Sequence, residues 1–216
     1  MKPFEKWITD DLKLTFGLRE AQGMTLLADW LATPLNVSSA EKQVLTGLQE
    51  RLRRKANFWN EDELKLFFIS EVLNLVDFNR PEVYAAFSQR TLSVSLKNAQ
   101  QEEVTLRGRI EFLVATGEQV PRKPFFLVHE YKPQMKGQND PQGQLLASML
   151  AVHTLNDPKR PVYGAYVLGQ FWFFLILDGQ DYAVSSAFDA TKDDILNIVS
   201  MLKQVKTGIE KALKLI

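Results

Sequence analysis

The chain has 216 residues, 45% of them hydrophobic, which is enough apolar material for one well-packed domain. It has no cysteine and only two histidines, which excludes disulfides and thiolate metal sites and argues against a zinc site. Lysine and arginine number 26, as do aspartate and glutamate, so the chain lacks the basic excess typical of nucleic-acid-binding proteins.

Two features bear on the compartment and on the membrane. No apolar segment follows the charged start of the chain, so we expect no signal peptide. The longest run of aromatic and aliphatic residues, 171–177, is far too short to span a bilayer. With the absence of cysteine, these features predict a cytoplasmic protein without a membrane partner.

The first quarter of the chain is predicted to be helical. Apolar residues recur at roughly helical intervals from residue 3 to about residue 55. The segment Ser38-Ser39-Ala40-Glu41 is typical of a helix start with a capping box. We therefore expect residues 1–58 to form a helical amino-terminal extension to the domain.

A further helix is predicted over residues 60–76, with Asn60 as its cap. On a helical wheel, Glu61 and Glu71 fall within the apolar face of this helix, and Glu63 lies at its edge. A glutamate that faces the core here could support a site, but an acid in the first turn also stabilises a helix by itself. The pattern leaves both interpretations of Glu61 open.

Residues 59–188 are predicted to form the core of the domain, followed by a carboxy-terminal helix in 189–216. Strands are expected where β-branched and aromatic residues lie between Gly, Pro or polar clusters. In chain order we predict strands over 91–97, 104–116 and 125–132, a loop over 135–140, a helix over 141–153, a hairpin of 162–168 and 171–177, a strand over 182–188, and a helix from 191.

Two of these strands carry charges among apolar residues. One contains Glu111, and the other ends in Glu130 and Lys132. A buried carboxylate costs several kcal/mol unless it is paired or binds a metal, so these charges indicate a site. Because side chains alternate along a strand, Glu130 and Lys132 share a face, and pairing of the two strands can place Glu111 opposite Glu130.

Two carboxylates and an ammonium group at one spot suit a magnesium ion and a phosphate. Hard divalent cations prefer oxygen ligands, and Lys132 could hold or deprotonate a water or neutralise charge on a phosphate. A structural ion pair at the strand end, with Glu111 satisfied by Arg109 or a helix terminus, would explain the same charges. The charges alone leave both interpretations open.

The order of the motifs resembles that of the PD-(D/E)XK nuclease superfamily, over roughly residues 60–177. The motifs are Gly-Arg-Ile-Glu-Phe-Leu-Val at 108–114, Val-His-Glu-Tyr-Lys at 128–132 and Gln-Gly-Gln-Leu-Leu-Ala at 142–147. The resemblance implies a restriction-endonuclease-like α/β core, with a mixed β-sheet flanked by helices. It matches Glu111 to the first acid, where Asp is usual, Glu130 and Lys132 to Glu-x-Lys, Gln144 to a helix glutamine, and Glu61 to a glutamate on an amino-terminal helix.

The resemblance also implies a nuclease that uses magnesium or manganese to hydrolyse DNA. Glu111 and Glu130 would hold the metal, aided by the backbone carbonyl of Tyr131. Glu61 would bind a metal-bound water or a second ion. Lys132 would orient or activate the attacking water.

The resemblance assigns Gln144 to positioning that water or the lysine. A catalytically silent domain of the same fold, acting as a binding or assembly module, is the alternative function. An unrelated α/β domain whose charges form structural pairs is a third. The choices between DNA and RNA, between endonuclease and exonuclease action, and between a monomer and a homodimer stay open, as does sequence preference.

Overall fold

The structure, a computed structural model, describes residues 2–132, 140–156 and 159–216. Of the predicted loop over 135–140, only Asp140 lies within these ranges. No helix in the described ranges is long and apolar enough to cross a membrane.

Short elements at the amino terminus lead into longer strands and helices. The α-helices are α1 (Thr9–Phe16), α2 (Thr25–Leu31), α3 (Ser39–Lys55), α4 (Glu61–Leu64), α5 (Ser70–Val76), α6 (Pro141–Leu155) and α7 (Asp194–Ala212). A 3-10 turn, Phe4–Lys6, precedes α1, and a π-helical turn, Lys65–Ile69, joins α4 to α5. The strands are β1 (Lys2–Pro3), β2 (Arg19–Glu20), β3 (Tyr84–Lys97), β4 (Glu103–Thr116), β5 (Arg122–Lys132), β6 (Val162–Leu168), β7 (Phe171–Asp178), β8 (Asp181–Val184) and β9 (Phe188–Asp189).

These strands form one mixed sheet in the order β1-β4-β5-β6-β7-β8-β2, with β3 also paired to β4 and β9 to β7. The β3–β4, β4–β5 and β6–β7 pairs are antiparallel, whereas β5 and β6 are parallel. Helix α6 makes the crossover between the two parallel strands, as such a connection requires. The prediction that the Glu111 and Glu130 strands are antiparallel neighbours is confirmed.

Helices cover both faces of the sheet. Helix α6 is buried from Gly143 to His153, because it lies between one face of the sheet and the amino-terminal segment that contains α1. Its apolar residues therefore surround the helix instead of forming a stripe. Helices α2, α3, α5 and α7 contribute to a second core on the other face. The expected α/β class, with a mixed sheet flanked by helices, is confirmed.

The structure differs from the predicted elements in four places. The single strand predicted over 182–188 is two short strands, β8 and β9, which pair with different parts of β7. The segment predicted to be helical also contains β1 and β2, which pair with β4 and β8. Strands of two residues show no periodicity, so the sequence pattern could not reveal them. Strand β3 begins at Tyr84 instead of residue 91, and the helix predicted over 60–76 is interrupted by the π-helical turn.

Candidate active site

Strands β4 and β5 bring three charged side chains to one end of their pairing. Phe112 lies opposite His129, and continuing this register by one residue places Glu111 opposite Glu130. Glu130 and Lys132 share a face with Val128, which belongs to the core on the α6 side. The alternation predicted for β5 is therefore present.

Ammonium and carboxylate groups alternate through the site. Lys132 Nζ lies 2.6 Å from Glu130 Oε1 and 3.4 Å from Glu61 Oε2. Lys65 Nζ lies 2.6 Å from Glu61 Oε1 and also donates a hydrogen bond to Glu111 Oε2. The structure thus brings together Glu61, Glu111, Glu130 and Lys132, and it adds Lys65 between two of the acids.

Burial dominates the electrostatics of Glu130, whose side chain is only 2% exposed. Burial raises the pKa of Glu130 to about 7, against the opposing effect of Lys132, and the nearby charges of Glu111 and Glu61 raise it further. Burial alone would lower the pKa of Lys132, but Glu130 and the other two carboxylates raise it above its ordinary value. Lys132 is therefore an ammonium ion at neutral pH, while burial makes the Glu130 carboxyl much harder to ionise than an exposed one.

The position of Glu61 depends on the start of α4. Asn60 and Glu63 form a capping box, in which each side chain bonds to the backbone N–H of the other residue. The Glu63 carboxylate therefore bonds within the cap, whereas the Glu61 carboxylate accepts a hydrogen bond from Lys132. Glu71 is exposed, so its predicted place on the apolar face is wrong. The π-helical turn between Glu61 and Glu71 changes the angular phase on which that prediction relied.

Lys65, the first residue of the π-helical turn, was not predicted as a site residue. Burial alone would lower its pKa, but its bonds to Glu111 and Glu61 raise it, so Lys65 also carries a charge. The i,i+4 spacing from Glu61 to Lys65 is visible in the sequence and is typical of a helical ion pair. The contact with Glu111, 46 residues away in the chain, has no such local signal.

Gln89 of β3 is a second site residue that the sequence did not reveal. The β3–β4 register places it opposite Glu111, and its amide donates a hydrogen bond to Glu111 Oε2. Its φ angle of 57° lies in the left-handed region, which is uncommon for a residue other than glycine within a strand. Ile110 and Leu113 both face the α6-side core although they are three residues apart, so strand alternation is interrupted next to Glu111. Such irregularities often redirect a side chain beside a site.

Gln144 enters the site from the first turn of α6. Asp140 caps this helix by accepting a hydrogen bond from Gly143 N at 2.9 Å, and it also binds the backbone N–H and hydroxyl of Thr9, each at 2.7 Å. A Cβ on Gly143 would lie 2.6 Å from Thr9 N, so only glycine allows this close approach. The side-chain oxygen of the buried Gln144 has no hydrogen-bond partner among the described residues.

Part of the site lines an open cleft of about 550 Å³, whereas Glu61, Lys65 and Glu130 lie behind its wall. Glu111, Lys132 and Gln144 form one part of its wall. The β3–β4 hairpin and the amino-terminal segment form the rest, with Gln89, Thr91, Arg107, Gly108, Arg109, Pro3 and Glu5. Arg109 lies near Glu111, as predicted, but the two side chains are linked through Gln89 and not by a direct bond. Arg109 Nη1 donates to Gln89 Oε1 at 3.3 Å, and Gln89 in turn binds Glu111.

Tyr131 turns its side chain away from this cleft, toward the other core. Its hydroxyl lies 3.0 Å from Nδ1 of His129, and both rings are buried. Burial raises the pKa of Tyr131 and lowers that of His129 to about 3, so both groups are neutral near pH 7. The predicted metal contact of Tyr131 concerns its backbone carbonyl alone and stays a prediction.

The site contains oxygen atoms of the chemical kind that magnesium prefers as ligands. Among the described residues, no three acidic or histidine side chains are grouped closely enough to hold a metal by themselves. One oxygen of Glu111 and one of Glu130 accept no hydrogen bond from the described side chains or backbone, and Gln144 offers an unpartnered amide oxygen. Magnesium usually binds through one or two carboxylates plus water. It would also supply positive charge beside Glu130, whose pKa is raised by burial and, to a smaller extent, by the neighbouring carboxylates.

Comparison of the sequence with models of known protein families and with curated proteins finds no match.

Proposed function

We propose that this protein is a metal-dependent nuclease that hydrolyses phosphodiester bonds in DNA. The observation that carries the proposal is the buried Glu130 carboxylate beside Lys132, which together with Glu111 lines an open cleft. Burial of the Glu130 carboxylate is unfavourable even beside Lys132, so we interpret the cluster as a functional site. Its members also lie in the order that the nuclease resemblance implies.

Glu111 and Glu130 would hold magnesium or manganese, and the ion would polarise the phosphate and lower the pKa of a bound water. Lys132, as an ammonium ion, donates hydrogen bonds and therefore orients the attacking water or offsets phosphate charge; it does not accept a proton. The free amide oxygen of Gln144 can accept a hydrogen bond from the same water. Water would add to phosphorus after giving up a proton to solvent, the ester P–O bond would break, and the departing sugar oxygen would take up a proton from solvent.

One observation favours the alternative of a catalytically silent binding module in the same fold. The ammonium group of Lys65 bonds to both Glu61 and Glu111, and thereby supplies part of the positive charge that a metal would otherwise bring. A site satisfied in this way can persist without metal. Metal binding by the chain decides between the two functions.

The test is cleavage of plasmid and of labelled oligonucleotides by the purified protein with magnesium, manganese or EDTA. Metal-dependent cleavage that is lost in Lys132→Met and retained in Lys42→Ala is the expected result. Lys42 is an exposed residue of α3, so its substitution controls for loss of one positive charge. Absence of cleavage with either metal, together with absence of metal binding by calorimetry, would overturn the proposal and favour the binding module.

A further inference from the structure

The β3–β4 hairpin extends past the site and presents one polar surface beside the cleft. Beyond Gln89, its inner side chains Leu92, Val94 and Leu96 pack on the α6-side core. Alternation turns the other side chains outward. This outward surface, the hairpin face, consists of Thr91, Ser93 and Ser95 of β3 and their cross-strand partners Arg109, Arg107 and Thr105 of β4.

The hairpin face has the composition of a phosphate-binding surface. Its members are hydroxyl or guanidinium side chains, the groups that most often contact phosphate and sugar oxygens. These six positions hold two arginines and no acidic or aromatic side chain, and the next pair on the same face, Lys97 and Glu103, adds one charge of each sign. The surface is therefore net basic and has no platform for stacked bases. Ser95 and Thr105 already bond to each other at 3.0 Å, which leaves the two arginines as its principal free donors.

Neither arginine is committed to an acidic partner. Among the described residues, Arg107 and Arg109 lie in no ion pair, and the side-chain bond of Arg109 to Gln89 leaves most of its guanidinium donors available. Both side chains line the same cleft as Lys132. Two residues along a strand are about 6.6 Å apart, so the two guanidinium groups follow one another outward from the site.

The hairpin face is also continuous with the acids. Arg109 binds Gln89, and Gln89 binds Glu111, so a phosphate held by Arg109 would be one side chain from a carboxylate of the site. We infer that the hairpin face binds the sugar–phosphate backbone of one nucleic-acid strand and guides it to Glu111 and Glu130, without reading its bases. This inference rests on the proposed function and specifies how its substrate is held.

The experiment measures binding of fluorescein-labelled oligonucleotides by anisotropy in EDTA, so that neither metal nor cleavage contributes. Two unrelated single-stranded sequences and one duplex are compared for wild type, for Arg107→Ala/Arg109→Ala and for Arg90→Ala. Arg90 is the matched control, because it is an exposed arginine of the same hairpin that pairs with the buried Ile110 and thus faces the other way. Thermal melts confirm that each variant is folded.

The double variant should bind every sequence at least about tenfold more weakly, and Arg90→Ala should bind like wild type. Loss of two phosphate contacts should also reduce the slope of log affinity against log salt by about 1.4 on single strands and about 1.8 on duplex. Equal binding by wild type and the double variant, an equal loss in Arg90→Ala, or a loss confined to one sequence would overturn the inference.

The same measurements separate this inference from the proposed function. Binding that depends on the hairpin face without cleavage in magnesium or manganese would support the inference and reject the nuclease. Cleavage with an unchanged KM in the double variant would support the nuclease and reject the hairpin face. Absence of binding to any of the oligonucleotides would reject the hairpin face, and acidic polypeptides would then be the ligands to examine.

Discussion

Lys132 Nζ lies 2.6 Å from Glu130 Oε1, yet this ion pair does not keep the pKa of Glu130 in its ordinary range. Burial of the carboxylate, together with Glu111 and Glu61 nearby, outweighs the single ammonium group. One ammonium group is therefore not enough to stabilise the ionised form of Glu130 in this buried position. A bound divalent cation would supply more positive charge, and this relation makes the site testable through its pH dependence.

We expect Glu130→Gln to stabilise the metal-free protein at high pH. Folding raises the pKa of Glu130 from 4.5 to about 7, so its stabilising contribution is present below pH 4.5 and is lost as the pH rises to about 7. The shift corresponds to about 3 kcal/mol of unfolding free energy, because each pKa unit is worth about 1.4 kcal/mol. Glutamine resembles the protonated acid and does not ionise. Urea unfolding in EDTA at about pH 5 and pH 8 measures the difference.

The comparison of wild type with Glu130→Gln isolates this group. His129 changes stability in the opposite sense. Burial lowers its pKa from 6.5 to about 3, so its contribution to the free energy of unfolding increases as the pH rises from about 3 to 6.5. That contribution is common to both proteins and cancels in the difference. A variant that is less stable than wild type at pH 8 would show that the ion pair with Lys132 outweighs burial after all.

We expect Lys132→Met to reduce cleavage by about a hundredfold or more while metal binding persists. The substitution removes the donor that orients water or offsets phosphate charge, but it leaves the oxygens of Glu111 and Glu130 in place. It also raises the pKa of Glu130 further, so both measurements are made over a range of pH that extends above neutrality. Calorimetry with manganese and oligonucleotide cleavage are the two readouts. Loss of metal binding in the variant would instead indicate that Lys132 chiefly holds the ligands in position.

The sequence predicted the part of the site whose charges stand out locally. Glu111 and Glu130 interrupt apolar strands, and strand alternation alone predicted which neighbours share a face. Lys65 and Gln89 could not be predicted in this way, because each reaches the site through a backbone irregularity, a π-helical turn and a left-handed residue within a strand. A prediction from periodicity assumes a regular backbone, so it fails where the backbone is irregular. The same limit explains the incorrect placement of Glu71.

We expect Lys65→Met to weaken the metal-free fold and to tighten metal binding. Its ammonium group bonds to Glu61 and Glu111, and its loss leaves two partly buried carboxylates without that partner, at a cost of roughly 1–3 kcal/mol. The same loss removes a cation that would repel an incoming metal ion, so affinity should rise about tenfold or more. Thermal shift with and without manganese, and calorimetry, measure both effects. Arg54→Ala, an exposed change on α3, is the control for net charge.

Glu111 distinguishes a working metal site from a structural ion pair, through two substitutions of different size. Glu111→Ala deletes an oxygen that would bind the metal and should weaken manganese binding at least about tenfold. Glu111→Asp keeps the carboxylate but shortens the side chain by one methylene, which removes it from the optimal reach of Lys65 and Gln89. If Glu111 serves only those two partners, both variants should lose stability and neither should affect metal binding.

If Glu111 holds the metal, Glu111→Asp should retain or increase cleavage, because the nuclease resemblance has Asp at this position and magnesium accepts either carboxylate. The melting temperatures of the two metal-free variants then separate the structural role from the ligand role. A shorter acid that lowers stability yet preserves cleavage would show that Lys65 and Gln89 support Glu111 without being needed for the reaction. An inactive Glu111→Asp with unchanged metal affinity would show that the bound ion is not catalytic.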